Sequence, residues 1–520
     1  MFKEKHSPPV FDTLPGSTVN KESHDRSFRW ALLAILVIGV FYFATIQSGQ
    51  GWGDDFAMYI RHAMNVADGL PYDQTGYIRN PGNIIAPVAY PPVFPLLLAP
   101  VYKVWGFNLT AMKVELILFF LLSLWTIFLA LRRELEWPYL IAILVLTGFN
   151  PWVWQFKEQI LSDIPYLFFT YLGIYLIHKA YGTKRDVSGQ ILYGFLTGIA
   201  IYLSYGARTV GVVLLLALII YDLLKNRRPS VYMVSTAVLT FALIYIQKIA
   251  MRSDATAGYA DQIVAKDTSL IYRLEDMAYH CWFLLQSLNE YLNNGYSKLF
   301  RWGVFAFILI TAAAAYLIRA RKISKITILE IFLLIYLAPL IIMPIGLEAR
   351  YLLPLIPLIL LYTFTSVQAV SRRFGKETLA FAAVTCVFLA TYLGQYSRLG
   401  LKSLHEGVGK AESQQLFEYV KRETTENDVL LFRKPRALNL FTGRTGAVWH
   451  KEPDDGKLWE YFGKIHAAYL ITGPAEVEPI DQAFIRSFAE RNGNRLQETF
   501  ANADFHVYRL NRDTNGDGRR

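Results

Sequence analysis

Cysteine and charge are the two things of which this 520-residue sequence has little. It contains only two cysteines, Cys281 and Cys386, and 18% charged residues, whereas about a quarter of the residues in an ordinary soluble domain are charged. Two cysteines so far apart provide neither a disulfide framework nor the spacing of a metal site. We therefore predict that both are packing residues, and the low charge argues against a soluble globular protein.

Long apolar runs take the place of the missing charge. Hydrophobic residues make up 53% of the chain, and they cluster into runs of membrane length. We therefore predict an all-α polytopic membrane protein with about 11 transmembrane helices. The predicted spans lie near residues 30–46, 110–131, 138–154, 164–180, 190–206, 210–224, 231–250, 302–318, 326–346, 352–370 and 377–396.

Positive charge is concentrated in every second short loop between these spans. By the positive-inside rule, these loops and the N-terminal tail, residues 1–29, face the cytoplasm, and the alternate segments face outward. The net charge of +10 then reflects membrane topology, and we expect no nucleic-acid partner. The basic clusters are Arg132/Arg133, Lys179/Lys184/Arg185, Lys225/Arg227/Arg228, Arg319/Arg321/Lys322/Lys325 and Arg372/Arg373/Lys376.

The first span is interpreted as a retained anchor of a transmembrane domain that covers residues 30–396. A secretory signal peptide is the alternative, but the leader carries acidic residues such as Glu4 and no clear A-x-A cleavage site follows. The first outer loop, residues 47–109, is too long for a simple connector, and loops of this kind usually carry function.

The composition of a soluble domain returns after residue 397. Helical patterns at 411–422, 457–466 and 481–491 and strand patterns at 429–432, 468–472 and 506–510 predict a small extracytoplasmic α/β domain over 397–512. Residues 513–520 contain Asp513, Asn515, Asp517 and Gly518 in the pattern that opens a calcium loop. The later ligands of such a loop do not follow, so we predict a disordered polar tail.

Two adjacent carboxylates, Asp54 and Asp55, follow the first span and precede a helix-like stretch, 56–67. Hydrocarbon cannot satisfy them, so they must face water, a partner or a substrate. Asp55, Tyr59 and His62 recur at i, i+4 and i+7, which places a carboxylate, a phenol and an imidazole along one helical face. That face is a plausible wall of a polar site. The alternative is that one of the two acids merely caps the helix.

A short apolar segment, Val93–Trp105, ends the first outer loop. It is too short to span a bilayer, so we expect it to lie at the membrane interface. Pro91, Pro92, Pro95 and Pro100 are expected to break any straight helix there and to give the segment a bent path.

Further polar residues fall on the outer side in three other places. Each of them is compatible with a side chain that only reaches from the bilayer to the interface. Their convergence on one face instead suits an anionic, phosphate-bearing ligand. They are Lys157, Glu158 and Asp163 in the second outer loop, Arg208 in the turn SYGARTVG, and Glu348, Arg350 and Tyr351 in the turn LEARYLLPLIP.

Together these features resemble the GT-C fold of polytopic glycosyltransferases, especially the bacterial protein mannosyltransferase and aminoarabinose transferase relatives. The resemblance rests on the order, spacing and sidedness of the acidic pair, the loop ending in YPP, the segment KEQILSD, Arg208 and the turn LEARYLLPLIP. It implies an enzyme of the bacterial cytoplasmic (inner) membrane, with a cytoplasmic N-terminus. At the outer face, such an enzyme transfers a sugar from a polyprenyl-phosphate donor to a glycolipid, polysaccharide or protein acceptor, with inversion.

The resemblance also implies roles for the polar residues. Asp54 or Asp55 is the catalytic carboxylate, and Asp55 is favoured because it shares a helical face with other polar residues. Arg208 and Arg350 would bind the lipid phosphate, and Glu158 and Asp163 match a second acidic site. Relatives often have an arginine upstream of the acid that matches Asp163, and the basic residue in this sequence is Lys157. The remaining substrate-binding candidates are Tyr59, His62, Tyr90, Lys157, Glu348 and Tyr351.

The sequence leaves the cofactor and two alternative functions open. Asp54, Asp55 and Glu158 could hold magnesium or manganese, and His62 would tolerate manganese, although arginine and lysine can neutralise a phosphate without a metal. One alternative function is a glycan ligase or polymerase that uses a lipid-linked donor. The other is a polytopic transporter or flippase, which should place charged residues near the bilayer midplane.

Overall fold

The computed structural model describes residues 21–80, 87, 89–251, 270–293, 297–321, 326–342, 348–399, 401, 407–474, 477 and 479–511. Residues 1–20 of the predicted N-terminal tail and the predicted disordered tail, residues 513–520, lie outside the described residues. The α-helices among the described residues are α1 Lys21–Ala44, α2 Asp55–Asp68, α3 Val93–Trp105, α4 Leu109–Leu131, α5 Trp137–Gly148, α6 Pro151–Phe156, α7 Asp163–Tyr181, α8 Val187–Ala207, α9 Val212–Asn226, α10 Val231–Met251, α11 Leu270–Asn293, α12 Lys298–Ala320, α13 Ile328–Ile342, α14 Ile356–Arg373, α15 Glu377–Tyr396, α16 Ala411–Glu423, α17 Pro435–Thr442, α18 Asp455–Lys464 and α19 Pro479–Arg491.

Each predicted membrane span coincides with a helix of the structure. Eight helices among the described residues are long and apolar enough to cross a membrane, by length and composition. They are Asp25–Ala44, Leu109–Leu131, Val187–Ala207, Thr209–Asn226, Val231–Met251, Lys298–Ala320, Ala349–Arg373 and Glu377–Tyr396. The other three predicted spans correspond to α5 and α13, which are shorter apolar helices, and to α7.

The predicted span 138–154 is wrong at its C-terminal end. α5 stops at Gly148, and a separate short helix, α6, begins at Pro151. The side chain of Asn150 accepts hydrogen bonds from the backbone N–H groups of Trp152 and Val153, at 3.0 and 3.2 Å. An asparagine cap followed by proline at the first helical position starts a new helix, so the chain turns here instead of continuing across the membrane.

Small residues let neighbouring helices approach closely. A Cβ added to Gly194 of α8 would lie 2.9 Å from the carbonyl oxygen of Tyr232 in α10, and one added to Gly198 would lie 3.0 Å from that of Thr236. Only glycine leaves room for the two backbones at this separation. Small residues at helix crossings are a common means of packing helices within a membrane, where the hydrophobic effect does not drive helices together.

The short apolar segment forms α3, with the bounds that the sequence predicted. The expectation that its prolines break the helix is wrong for Pro100, which lies inside it. A proline in a helix removes one backbone hydrogen bond. Here Pro100 and Leu96, whose carbonyl would accept that bond, are both exposed at the surface, and α3 packs along α2.

The C-terminal domain contains the predicted α/β sheet. Its strands are β1 Tyr77–Ile78, β2 Val429–Leu431, β3 Thr445–Ala447, β4 Ala467–Thr472, β5 Leu496–Ala501 and β6 His506–Leu510, in the order β1-β3-β2-β4-β6-β5. The pairs among β1, β3, β2 and β4 are parallel, and β6 is antiparallel to β4 and β5. The helix α17 and the strands β3 and β5 were not predicted, because two of these elements are very short and β5 is largely exposed.

The first outer loop and the C-terminal domain form one body, although the sequence suggested two separate modules. β1 belongs to the loop, yet it pairs with β3 of the domain. Nearby, Trp52 packs edge-on or tilted against Phe417, Phe432 and Phe505, with ring centroids 5.5–5.7 Å apart. Because strands of one sheet share hydrogen bonds, the loop and the domain lie on the same side of the membrane.

Both cysteines are exposed in the structure, so the expectation that they are packing residues is wrong. Cys281 lies on α11 next to Trp282, and Cys386 lies on α15 next to Val387, and both of these apolar neighbours are exposed as well. A thiol behaves as a small hydrophobic group, so it fits an apolar outer surface as well as it fits a packed interior.

The shared sheet gives a topology prediction. In a variant without Cys281 and Cys386, single cysteines replacing the exposed residues Asp73 and Lys457 should both react with a membrane-impermeant maleimide in intact cells. A cysteine replacing the exposed Arg228, in a positively charged loop, should react only after the cells are opened, because of the positive-inside rule. Labelling of position 228 in intact cells, without labelling of positions 73 and 457, would show that the protein has the opposite orientation in the membrane.

Candidate active site

Asp54 stands at the N-cap position of α2, but its side chain makes no hydrogen bond to that helix. Its Oδ1 instead accepts from the backbone N–H groups of Arg436 and Ala437, both at 3.1 Å. These groups belong to the first turn of α17, where a carboxylate also interacts favourably with the helix dipole. Asp54 is therefore a helix cap, as the alternative interpretation supposed, but it caps a helix of the C-terminal domain.

Asp55 binds three side chains that come from distant parts of the sequence. Its Oδ1 accepts a hydrogen bond from the hydroxyl of Tyr90 at 2.6 Å and lies 3.5 Å from Nη1 of Arg436. Its Oδ2 accepts from Nη2 of Arg350 at 2.9 Å. The side chain is still 33% exposed, so one edge of the carboxylate is open to a ligand.

The surroundings of the two acids push their pKa values in opposite directions. Burial on its own would raise the pKa of Asp55, but the charges of Arg350 and Arg436 and the hydrogen bonds outweigh it and lower the pKa to about 2. Burial raises the pKa of Asp54, and the neighbouring cations and the N–H of Ala437 offset this only in part. Two carboxylates with pKa values moved apart are typical of an active site with divided roles. Asp55 is thus the acid that stays ionised over a wide pH range.

All three residues of the predicted face of α2 contact Tyr90. Asp55 accepts a hydrogen bond from the hydroxyl of Tyr90, and the ring of Tyr59 stacks on the ring of Tyr90 with centroids 4.8 Å apart. Nε2 of His62 accepts from the backbone N–H of Tyr90 at 3.2 Å. The shared face was predicted correctly, and its effect is to hold Tyr90 against the carboxylate.

His62, predicted from the sequence as a substrate-binding residue that would tolerate manganese, lies in the interior of the structure. The ring is fully buried and stacks on Tyr72, with centroids 4.1 Å apart. Since Nε2 accepts from a backbone N–H, the proton lies on Nδ1, which donates to the carbonyl oxygen of Tyr72 at 2.7 Å. Burial lowers the pKa of His62 to about 3. Both nitrogens of the neutral ring are therefore occupied by the loop that the ring supports.

Arg350 forms ion pairs with both Asp55 and Glu348. Its Nη2 binds Asp55 and also Glu348, each at 2.9 Å. Its side chain is only 10% exposed, and its buried Nε has no hydrogen-bond partner among the described residues. A guanidinium with a free donor beside an ionised carboxylate is well placed to receive an anionic ligand.

A second ion pair continues the cluster. Nη1 of Arg208 lies 2.7 Å from Oδ2 of Asp163, the first residue of α7. The ring of Tyr351 lies beside both arginines, 5.0 Å from the guanidinium carbon of Arg208 and 5.7 Å from that of Arg350. The outer residues Asp163, Arg208, Arg350 and Tyr351 are thus brought together with Asp55, as the sequence predicted.

Lys157 and Glu158 occupy a different, buried ion cluster. Glu158 pairs with Lys157 through Oε1 and with Lys113 through Oε2, the latter at 2.9 Å. Lys157 also donates to the carbonyl oxygen of Thr45 at 2.7 Å, and Lys113 to that of Gln47 at 3.0 Å. The contacts of this cluster hold the chain that leads from α1 toward the acidic pair, and they include none with Asp55. Sequence reasoning missed Lys113.

The metal-binding trio suggested by the sequence is not assembled. Among the described residues, no three His, Cys, Asp or Glu side chains lie close enough to hold a metal ion. The oxygens of Glu158 are taken by two lysines, and Oδ1 of Asp54 is taken by helix N–H groups. The structure therefore does not bring Asp54, Asp55 and Glu158 together as one set of ligands, and the use of a divalent metal stays a prediction.

Arg436 is the site residue that sequence reasoning missed. Its side chain is 3% exposed and donates to the hydroxyl of Tyr90 at 2.7 Å and to the carbonyl oxygen of Pro87 at 3.1 Å. Its guanidinium carbon lies 4.9 Å from the ring centroid of Tyr77 and 5.2 Å from that of Tyr90. The basic stretch RKPR, residues 433–436, with its proline at a helix start, was the available signal.

Part of the sequence matches a family model, and the fold is similar to that of solved structures. Residues 89–246 match the family model described as dolichyl-phosphate-mannose-protein mannosyltransferase. No curated protein matches the sequence. Among solved structures, ArnT from Cupriavidus metallidurans bound to undecaprenyl phosphate matches with a TM-score of 0.57 and 12% identity, over 92% of this chain and 98% of that chain.

The apo state of ArnT matches with a TM-score of 0.58 and 13% identity, over 93% and 98% of the two chains. The archaeal oligosaccharyltransferase AglB from Archaeoglobus fulgidus, in complex with an inhibitory peptide and a dolichol-phosphate, matches with a TM-score of 0.57 and 12% identity. That alignment covers 85% of this chain and 69% of AglB. The chain has the GT-C fold. It is a multi-pass membrane protein, and the resemblance predicted from its sequence is confirmed.

The capping role of Asp54 is testable through the stability of α17. Asp54→Ala should destabilise the junction by about 0.5–2 kcal/mol, whereas Asp54→Asn should have a small effect because asparagine caps about as well as aspartate. We expect faster hydrogen–deuterium exchange of the peptide covering 435–442 in Asp54→Ala only. Asp454→Ala, which removes the cap of α18 in the same domain, is the control. Equal exchange in the two Asp54 variants would contradict the cap.

Proposed function

We propose that this protein is an integral-membrane glycosyltransferase that uses a polyprenyl-phosphate sugar donor at the outer face of the bacterial cytoplasmic membrane. The observation that carries the proposal is Asp55, an ionised and partly exposed carboxylate next to Arg350, whose Nε has no partner among the described residues. The fold supports it, since similar structures were solved with undecaprenyl phosphate and with a dolichol-phosphate. The acceptor would be a hydroxyl of a glycolipid, polysaccharide or protein.

The arginines provide the phosphate-binding side of the site. A guanidinium can bind a phosphate through two parallel N–H donors, which an ammonium cannot do. Arg350 offers its Nε, and Arg208 is held by Asp163 behind the ring of Tyr351. The charge that develops on the leaving phosphate is then stabilised by groups that are already in place before the reaction begins.

The chemistry is a single displacement with inversion. The acceptor oxygen attacks the anomeric carbon from the side opposite the phosphate, so that a new carbon–oxygen bond forms while the bond from the anomeric carbon to the phosphate oxygen breaks. The electron pair of the broken bond leaves with the phosphate. The proton of the acceptor hydroxyl passes to Asp55, and general-base help of this kind contributes about 10²–10⁴-fold to the rate.

The low pKa of Asp55 defines how it acts. A carboxylate with a pKa of about 2 is a weak base, so its first task is to orient the acceptor hydroxyl and to stabilise the positive charge that grows on the attacking oxygen. When the donor phosphate binds Arg350, the positive charge of this arginine stabilises the ionised Asp55 carboxylate less. Donor binding thus raises the basicity of the carboxylate at the moment when a proton acceptor is needed.

The location of the site favours group transfer over transport. Asp163 begins α7, Arg208 follows the last residue of α8, and Arg350 lies in the 3-10 helix Ala349–Leu355 that leads into α14. The charges therefore lie at helix ends, whereas a transporter would bind its substrate near the bilayer midplane. A ligase or polymerase would use the same chemistry, so donors carrying one sugar and donors carrying a longer glycan should be compared.

The central prediction concerns Asp55. Asp55→Asn keeps the size of the side chain but removes its charge and its ability to take a proton, so sugar transfer by the purified protein should fall at least ~100-fold. Asp68→Asn, at the exposed end of the same helix, should transfer normally. The assay is run with EDTA and with added magnesium or manganese. Near-normal transfer by a folded Asp55→Asn variant would remove the main support for the proposal.

The phosphate role of Arg350 gives a separate prediction. Arg350→Lys keeps the charge but loses the planar fork, so kcat/KM for the donor should fall by the equivalent of roughly 1–3 kcal/mol. Arg372→Lys, which alters an exposed ion pair with Glu136 and Glu377, is the matched control. Normal donor affinity and turnover in Arg350→Ala would show that this arginine does not bind the phosphate.

A further inference from the structure

We infer that Arg436, supplied by the C-terminal domain, is a positioning residue for sugar transfer that fixes Tyr90 and one oxygen of Asp55. The inference rests on the proposed function and deepens it, because it makes the C-terminal domain part of the active site. The membrane-spanning bundle and the first outer loop alone would then hold an incomplete site.

The contacts of Arg436 point away from its own domain. Among the described residues, the polar contacts of its side chain are with the first outer loop, and they include Asp54, Asp55, Pro87 and Tyr90. A buried guanidinium without partners would be strongly destabilising. The side chain of Arg436 can therefore stay buried only while the first outer loop and the C-terminal domain are docked.

Arg444 shows what an ordinary arginine of this domain does. It donates to the backbone carbonyl groups of Lys421 and Thr424 at 2.9 and 3.0 Å and to the hydroxyl of Thr424 at 3.1 Å. All of these acceptors lie in the C-terminal domain, where they tie the end of α16 to the chain after α17. The contrast between the two arginines separates a structural role within the domain from a role at the site.

A chain of hydrogen bonds leads from Arg436 to the reacting carboxylate. Nη1 of Arg436 donates to the hydroxyl of Tyr90 at 2.7 Å, and this hydroxyl donates to Oδ1 of Asp55 at 2.6 Å. Because the tyrosine oxygen accepts from the guanidinium, its single proton is directed to Asp55. Oδ1 is thus held by Tyr90, and Oδ2, which Arg350 contacts, is the oxygen left to meet the acceptor hydroxyl once Arg350 turns to the donor phosphate.

Arg436 also affects the ionisation of Asp55. After burial, the largest influences on this carboxylate are the charges of Arg350 and Arg436. Without Arg436, Asp55 keeps one strong positive neighbour, so its pKa rises and the acid limb of the activity profile moves to higher pH. Other titratable groups around Asp55 and its two arginines are Asp54, Tyr59, Tyr77, Tyr90, Asp163, Glu348 and Lys434.

The experiment compares Arg436→Gln, Arg436→Lys and Tyr90→Phe with Arg444→Gln. Arg436→Gln should lower kcat by at least ~10-fold with a smaller change in KM for the donor, because the group aligned for the transition state is no longer fixed. Its acid limb should move to higher pH. Arg436→Lys should restore the position of the acid limb and part of kcat, and Arg444→Gln should keep the wild-type profile if the domain is folded.

A second measurement does not depend on activity. Labelling of Asp55 by a water-soluble carbodiimide, followed by peptide mass spectrometry across the acid pH range, reports when this carboxylate becomes protonated. The labelling midpoint should rise in Arg436→Gln and stay unchanged in Arg444→Gln. If Arg436→Gln is too unstable, Arg436→Lys and Tyr90→Phe test the same hydrogen-bond chain, and each should lower kcat.

The outcomes separate the two proposals. Wild-type kcat, acid limb and labelling midpoint in folded Arg436→Gln would overturn the positioning role, whatever Asp55→Asn does. A shifted labelling midpoint in a protein that transfers no sugar from any polyprenyl-phosphate donor would instead support the link between Arg436 and Asp55 and overturn the proposed function.

Discussion

The ion pairs that hold the Asp55 carboxylate between the guanidinium groups of Arg350 and Arg436 are the interaction on which the joining of the helical bundle, the first outer loop and the C-terminal domain depends. A charged group that is two-thirds shielded from water needs compensating charge and hydrogen bonds. Here that compensation comes from three segments of the chain, since Tyr90 supplies the third contact. Satisfying one carboxylate therefore requires the first outer loop, the turn before α14 and the C-terminal domain to meet.

The helices of the bundle make this meeting possible. Asp163 and Arg208 lie at the ends of α7 and α8, and Arg350 lies in the 3-10 helix Ala349–Leu355 that leads into α14. A break after α5, set by Asn150 and Pro151, brings the buried cluster of Lys113, Lys157 and Glu158 under the chain that leads to the acidic pair. The bundle thus supplies two arginines at one face and a firm base for α2.

Asp54 and Asp55 are neighbours in sequence with divided roles in the fold. Asp54 faces the backbone of α17 and ties the domain to the loop, and Asp55 faces Tyr90 and the two arginines. A single step along the chain near the start of a helix rotates the side chain by about 100°, which is enough to send the two carboxylates to different partners. Docking of the C-terminal domain through Asp54 is therefore coupled to the positioning of Asp55, because the two residues are consecutive in the chain.

The sequence by itself determined the elements that depend on local pattern. The length and apolarity of the runs located the eight described helices that are long and apolar enough to cross a membrane. The i, i+4, i+7 spacing placed Asp55, Tyr59 and His62 on one face, because helix periodicity is a property of neighbouring residues. Only the tertiary structure decided which residues that face meets. Arg436 lies 381 positions from Asp55, and β1 is two residues long, so neither leaves a periodic signal. Their roles arise because a buried charge and an unpaired strand need partners, and only the folded chain selects which partners are close enough.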